Sequence, residues 1–419
     1  MLKQVIFSLI LLITIGVFAW TMRRLWAFFK LTRPGYPIQN ISARISHTLN
    51  VAIGQSKIFR KPIVGLMHAL VFWGFIVITL GSIEMVVDGV TGAERVFAFT
   101  GWFYDFVIAS GDIFAYLILV FILAFLVRRL FMKIRRFQGV EINGKASWDA
   151  NISLLLILLL MVSLIGYNLG YLEYHSGEKV GVYPISHLLV GQLGWSWGII
   201  MEVSWWFHIL LIFLFANYLP YSKHFHVFLS VPNVFLANLK PLGYLPHMES
   251  ITREVKLMLD PNAAYDETQE VARFGVKDAE DVTWKNYFDS LSCTQCGRCT
   301  DVCPANITGK LLSPRKIFVD LRKRMDEKGP LLLKGKEDSK SLIRDYISLE
   351  ELWACTTCNA CAQECPLDIS HPNLIVDMRR YLVMEEAAAP AELNSMFTYI
   401  ENNGAPWQFS PEDRLKWTE

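Results

Sequence analysis

Five stretches of this chain, residues 5–29, 63–87, 106–131, 152–172 and 199–219, are apolar over the roughly 20 residues that a helix needs to cross a bilayer. No other feature constrains the fold as much. Lipid offers no hydrogen-bond partners, so a single immersed segment satisfies its own backbone only as a helix. The apolar runs fill residues 1 to about 235, and charge is concentrated after them. The first stretch follows Lys3 as a signal peptide would. Its core is too long, however, and it ends in TMRRLW rather than in small residues, so it reads as a span.

Loop charge sets the orientation. The first loop carries Arg23, Arg24, Lys30, Arg33, Arg44, Lys57, Arg60 and Lys61, and the third carries Arg128, Arg129, Lys133, Arg135 and Arg136. The second has Asp88, Glu94, Asp105 and Asp112 against Arg95. By the positive-inside rule the N-terminus is outside and everything after span five is cytoplasmic. That places a multi-pass protein in a bacterial cytoplasmic (inner) membrane. A net charge of +1 gives no support for nucleic-acid binding.

All eight cysteines lie between Cys293 and Cys365. They form two copies of C-x2-C-x2-C-x3-C-P: CTQCGRCTDVCP from Cys293 and CTTCNACAQECP from Cys355. No secreted disulfide framework is spaced this way, so the cysteine end suits a reducing compartment. Three thiolates at two-residue spacing wrap one corner of an iron–sulfur cube, and in two-cluster ferredoxins the fourth cysteine of each run ligates the other cluster. The expectation is two [4Fe–4S] clusters, one on Cys293, Cys296, Cys299 and Cys365, the other on Cys355, Cys358, Cys361 and Cys303. A pair of four-cysteine zinc sites is the competing reading, and zinc calls for neither the tight triplet nor the Cys-Pro. Between the copies, SPRKIFVDLRKRM and SLIRDYISLEELW read as two helices of an inserted arm, with the basic run 315–324 as a solvated helix face. This domain resembles the helical ferredoxin type found in the iron–sulfur subunits of succinate dehydrogenase and heterodisulfide reductase.

Histidines supply the next link, because ionisable residues inside a membrane are rare and usually functional. His68 stands early in span two, in GLMHALVFWG, and His208 in span five, in WWFHILLIF. His224 and His226 follow at the cytoplasmic end, in YSKHFHVFLSVP. His68 and His226 share a depth; if the helix continues past Pro220, His226 also shares a face with His208, and His224 reads as an interfacial, solvated residue.

These features resemble the gamma subunit of respiratory nitrate reductase, a five-helix cytochrome b. The resemblance rests on the span-two histidine, the eighteen-residue histidine pair and the SVP ending, and covers residues 1–235. It implies that His68 and His226 bind a haem b. It also implies a distal haem on His208, whose partner would stand ten residues after His68. That position is Ile78 here, so a replacement ligand would have to come from His187 or His175 of the outer loop.

The expected fold is all-α: a five-helix transmembrane cytochrome b bundle (1–235), a linker (236–280), a cytoplasmic helical ferredoxin-type domain with two clusters (281–385), and a C-terminal tail (386–419). Together the halves resemble membrane-bound heterodisulfide-reductase-like iron–sulfur oxidoreductases, some of which link electron-transfer flavoprotein to menaquinone. Members often continue past a segment like IENNGAPWQFSPEDR into further Cys-rich domains. The sequence ends at Glu419, and the expectation is therefore a catalytic domain on a separate cytoplasmic subunit, Cys-rich or flavin-bearing, docked on the aromatic tail. No Ser–His–Asp set, P-loop or dinucleotide fingerprint is evident. The reading is an electron-transfer subunit joining that partner to a membrane quinone; the rival is an iron–sulfur redox sensor without quinone turnover.

Overall fold

The computed structural model describes residues 1–137, 139, 145–176, 181–191, 197–260 and 273–419. Residues 261–272 of the expected linker lie outside the described residues. Helices form where the sequence is apolar. In chain order they are α1 (Leu2–Phe29), α2 (Ile41–Thr48), α3 (Pro62–Thr91), α4 (Trp102–Phe131), α5 (Lys145–Tyr174) and α6 (Trp197–Tyr218). All but α2 are long and apolar enough to cross a membrane. α3 begins on Pro62, whose missing N–H costs nothing in a first turn, and stops at Gly92, where φ is +76°.

α5 packs most extensively against α6, α3 against α4, and α4 against α5. Small residues make the α5–α6 contact close: a Cβ on Gly170 would stand 2.8 Å from the Met201 backbone. α1 lies at the edge, burying Phe7, Leu25 and Phe28 while most of its surface faces outward. Of the acidic residues read as loop two, Glu94 alone falls between helices. Asp112 is buried in α4, where it accepts from the Ile185 and Ser186 N–H groups at 2.8 and 3.0 Å.

α6 does not continue to His226. It gives way to two tight turns, Leu219–Tyr221 and Lys223–Phe225, with Ser222 extended between them. Pro220 supplies no N–H, the Ser222 hydroxyl accepts from His224 N–H, and Asp149 takes the Lys223 N–H. The shared helical face expected for His208 and His226 therefore does not apply. His226 instead opens a separate helix, α7 (His226–Phe235).

The remaining helices are α8 (Glu249–Leu259), α9 (Trp284–Ser292), α10 (Pro314–Leu332), α11 (His371–Met384) and α12 (Ala391–Asn403), with shorter turns between them. α10 confirms the first arm helix. The second is not one helix: residues 341–353 fold as a turn with Arg344 at φ +82°, then the short helix Leu349–Trp353 under a Ser348–Glu351 capping box. Among the described residues no sheet forms; two isolated bridges, Arg33–Thr283 and Ile343–Ile347, are the β pairing.

One continuous apolar core joins the halves, running from Leu25, Phe28, Ile122 and Leu219 into Tyr287, Ile317, Phe318 and Leu321. Loops one and three and the end of span five all meet the cysteine domain. Arg33 donates its N–H to Val282 and accepts from Trp284, while Arg322 donates to Pro220 and Ser222 carbonyls. Both basic loops thus lie on the same side as the cysteines.

Candidate functional site

Each cysteine motif wraps in the same way. Gln295 and Gly297 take φ of +55° and +74°, and Thr357 and Asn359, at the same places in the second copy, take +53° and +60°. These left-handed residues curl the chain so that three sulfurs face one centre. Gly297 is required where Asn359 is tolerated, because a Cβ there would meet the Arg136 carbonyl at 2.5 Å. Short helices, Arg298–Asp301 and Ala360–Glu364, then deliver Cys303 and Cys365 in extended conformation away from their own motif.

The result is two separate hollows. Cys293, Cys296, Cys299 and Cys365 line one, together with Arg298, Arg315 and His371. Cys303, Cys355, Cys358 and Cys361 line the other, walled by Pro304, Leu312, Pro314 and Ile375. Each hollow therefore takes three cysteines from one motif and the fourth from its neighbour. All eight thiols are free, and Cys358 alone is exposed.

Burial, and then neighbouring sulfur, pushes these thiols up: Cys361 to about 12, with Cys299 and Cys365 also well raised. Cys293 reaches about 11 through burial and the nearby Cys296. Four thiolates in a dry hollow repel one another unless strong positive charge sits among them, which is the chemistry a cluster's iron supplies. Among the described residues, no three Cys, His or carboxylate groups converge closely enough to hold one ion. Sulfurs that ring a hollow suit a cube better than a single zinc at about 2.3 Å.

The first hollow lies against the membrane half. Arg298 donates to the Lys57 and Ile58 carbonyls at 2.8 and 3.3 Å, Lys57 donates to the Cys365 carbonyl at 3.2 Å, and Arg315 donates to that of Arg136 at 2.6 Å. Asp368 fixes the edge by pairing with His47 at 2.6 Å and with Lys57. The basic run 315–324 is consequently no solvated face. Arg315 and Arg324 are 1% and 0% exposed, the latter clamped by Asp278 and Asp338.

His68 lies in the second turn of α3 and His226 opens α7. The His226 Nδ1 lies 3.1 Å from the Lys223 carbonyl, which only accepts, so Nδ1 carries the proton and Nε2 is bare. That is the arrangement of an axial ligand held by its far nitrogen. The His68 Nδ1 is buried without a partner. His224, expected in solvent, has its Nδ1 buried and unpartnered, and burial, with His226 adding, holds its pKa well below the usual imidazole range.

His208 repeats the far-nitrogen pattern, with Nδ1 3.0 Å from the Leu160 carbonyl and a buried Nε2 without a partner. Among the described residues none of the expected second ligands accompanies it. Ile78 packs into the core, His187 is exposed, and His175 has both nitrogens engaged, by Tyr171 at 3.1 Å and Glu94 at 3.5 Å. The lining residues fit two four-sulfur clusters, and His226, fixed through Nδ1, and His68, with a buried Nδ1, are two imidazoles of the kind that hold a haem.

Sequence reasoning missed Arg298, Arg315 and His371 as lining residues. Arg298 was visible inside CGRC, but nothing local marked the other two.

Residues 292–369 match the 4Fe-4S dicluster domain family. The whole chain is similar to a probable iron-sulfur-binding oxidoreductase, FadF, of Bacillus subtilis, at 27% identity over 100% of this chain and 61% of the relative. It is also similar to an EtfAB:quinone oxidoreductase of Syntrophomonas wolfei, at 28% identity over 98% of this chain and 59% of that protein. A probable membrane-anchored ferredoxin of Chromohalobacter salexigens is 34% identical over 35% of this chain and 24% of its own length. This chain thus spans about three fifths of the two relatives that match it throughout. No solved structure matches it. The relatives, the dicluster match and the five apolar helices support a membrane protein with an electron-transfer role of the iron–sulfur oxidoreductase kind.

Proposed function

We propose that this chain is the membrane-anchored electron-transfer subunit of a quinone-linked oxidoreductase, passing electrons between a cytoplasmic redox partner and a quinone such as menaquinone. Two [4Fe–4S] clusters and one haem b, when bound, supply the one-electron chemistry. The protein's part is to fix ligands, spacing and local charge. Cys293, Cys296, Cys299 and Cys365 hold the inner cluster, Cys303, Cys355, Cys358 and Cys361 the outer one, and His68 with His226 the haem. The observation that carries this reading is the seating of the Cys293 hollow on loop one, where Arg298 donates to the Lys57 and Ile58 carbonyls and Lys57 to that of Cys365. The relative named for EtfAB and quinone supports an electron-transfer flavoprotein-like partner and a quinone acceptor. His208, with a bare Nε2 and no companion ligand, fits a second haem less well.

The test is spectroscopic. Purified protein should give a pyridine haemochrome of b type, and added quinone should reoxidise the reduced haem. His68→Ala and His226→Ala should each abolish the low-spin haem spectrum, since one axial imidazole holds haem loosely and changes its spin. An intact low-spin spectrum in His68→Ala would rule the assignment out, and a haem that ignores quinone would favour the sensor reading.

A further inference from the structure

A buried amide outside the two hollows joins three segments that the proposed electron path uses. Asn233 lies in α7, seven residues and about 10 Å along the helix from His226, which opens it. The residue is 0% exposed, and both polar atoms of its side chain are engaged. Nδ2 donates to Asp289 Oδ1 at 3.0 Å and to the Leu367 carbonyl at 2.8 Å, while Oδ1 accepts from Lys285 Nζ at 3.2 Å. Lys285 and Asp289 are themselves buried and paired.

These contacts lead to two cysteines of the Cys293 hollow. Asp289 stands one turn before Cys293, whose N–H donates to the Asp289 carbonyl at 2.9 Å where α9 ends. Leu367 follows Cys365 by two residues and lines the same hollow. At the start of α7, His226 Nδ1 meets the Lys223 carbonyl, and Lys223 Nζ stands 3.5 Å from Oε1 of Gln295, between Cys293 and Cys296.

α7 depends on such an anchor. It has ten residues, and Pro232 inside it has no N–H to bond the preceding turn. Short helices hold their place through tertiary contacts more than through their own hydrogen bonds. The chemistry here is specific to asparagine. An ionised aspartate has the same shape but only accepts, so it would face the Asp289 carboxylate and the Leu367 carbonyl without a donor. Leucine fills the volume and bonds to neither.

We propose that Asn233 is a positioning residue that fixes His226, and a haem held on it, at one spacing from the Cys293 site. This rests on reading His226 as a haem ligand and the Cys293 hollow as a cluster site. One electron crossing between them oxidises one site and reduces the other by one, with no proton required. The protein governs that step by where it holds the two sites.

The experiment uses the full chain in detergent, with iron, acid-labile sulfide, pyridine haemochrome and midpoint potentials measured on every sample. Light-activated deazaflavin injects electrons, and haem absorbance follows the phase whose rate is independent of deazaflavin concentration. Asn233→Leu should slow that phase severalfold and broaden the electron paramagnetic resonance signal of the oxidised haem, with cofactor content and potentials as in wild type. Asn233→Asp combined with Asp289→Asn should restore the contact with Lys285 but not the bond to Leu367, so the phase should stay slow. A wild-type rate in either variant, with cofactors loaded, overturns the inference. Should Asn233→Leu fail to load, the exchanged pair still decides; if both fail, the residue serves the fold alone and the inference is overturned. A wild-type chain without iron or haem, or a haem that survives His226→Ala unchanged, defeats the reading of those sites, which is a separate outcome.

Discussion

Replacing Arg324 by Leu removes the centre of a buried ion network in the cysteine domain. The guanidinium is 0% exposed and forks onto Asp278 at 2.8 and 2.7 Å and onto Asp338 at 2.6 and 2.6 Å. Lys328 also reaches Asp278, at 2.7 Å, and Glu280, at 2.6 Å. Breaking a buried pair from one side typically costs about 3–5 kcal/mol, because the partner charge stays behind. Lys328 still covers Asp278, so the lower end, about 3 kcal/mol, is expected here. Arg324→Lys keeps the charge but loses the fork and should cost less, about 1–2 kcal/mol. The consequence reaches the site, since the network fastens α10, whose first residues Pro314 and Arg315 each line a hollow. The assay is loss of visible cluster absorbance on heating in detergent at one scan rate. At about 4 °C per kcal/mol for a domain of roughly 100 residues, Arg324→Leu should bleach about 12 °C below wild type. Acid adds a second arm. Burial pushes the Asp278 carboxyl up, but the Arg324 and Lys328 hydrogen bonds overcome it and hold it below the usual carboxylate range. A depressed carboxyl contributes stability that is present above its unfolded value, about 3.9, and is lost as pH falls through the folded one. The gap between wild type and Arg324→Leu should therefore narrow as pH drops below about 4. A variant within about 3 °C of wild type at neutral pH would refute the reasoning.

Two further predictions concern the cysteines and the tail. Cys303→Ser should perturb the resonance signal of the cluster otherwise held by Cys355, Cys358 and Cys361; damage confined to the other signal would contradict the crossed hollows. Helix α12 and the turn Pro411–Thr418 bury none of their residues, and Phe409 and Trp417 are 67% and 84% exposed. Removing residues 397–419 should release the proposed Cys-rich or flavin-bearing partner from the membrane while haem and cluster spectra persist, and loss of clusters would mean that the tail is part of the domain's own fold.

What the sequence made legible was whatever is settled locally. Apolar length alone located all five spans to within a few residues, because lipid leaves the backbone no alternative to a helix. The cysteine repeat likewise anticipated which sulfurs share a hollow. Long-range partners were not legible. In 315–324, what buries Arg324 is Asp278, 46 residues away, and a charge run on a helix shows no sign of such a partner. The segment 341–353 has helical apolar spacing, but Leu342 N–H bonds to Asp278 and Ser348 caps a new start, so two short pieces replace one helix. Helical phase failed for His226 because Pro220 and Ser222 end α6 before that histidine is reached.

The way the halves are joined bears on what the joint does. A salt bridge across it would satisfy an arginine and cancel its charge together. At this joint both occur: Arg298 donates to the Lys57 and Ile58 carbonyls, Arg315 to that of Arg136 and Arg322 to those of Pro220 and Ser222, while Arg33 pairs with the buried Asp281 at 2.6 Å. A carbonyl satisfies the N–H group and leaves the positive charge in place. Around the hollow itself Asp368 holds His47 and Lys57, and Glu364 holds Arg60 and stands 3.9 Å from Arg298. Bonds to backbone carbonyls fix where a loop sits whatever its side chains, so they hold the Cys293 hollow at one distance from the membrane half, which the proposed electron transfer requires.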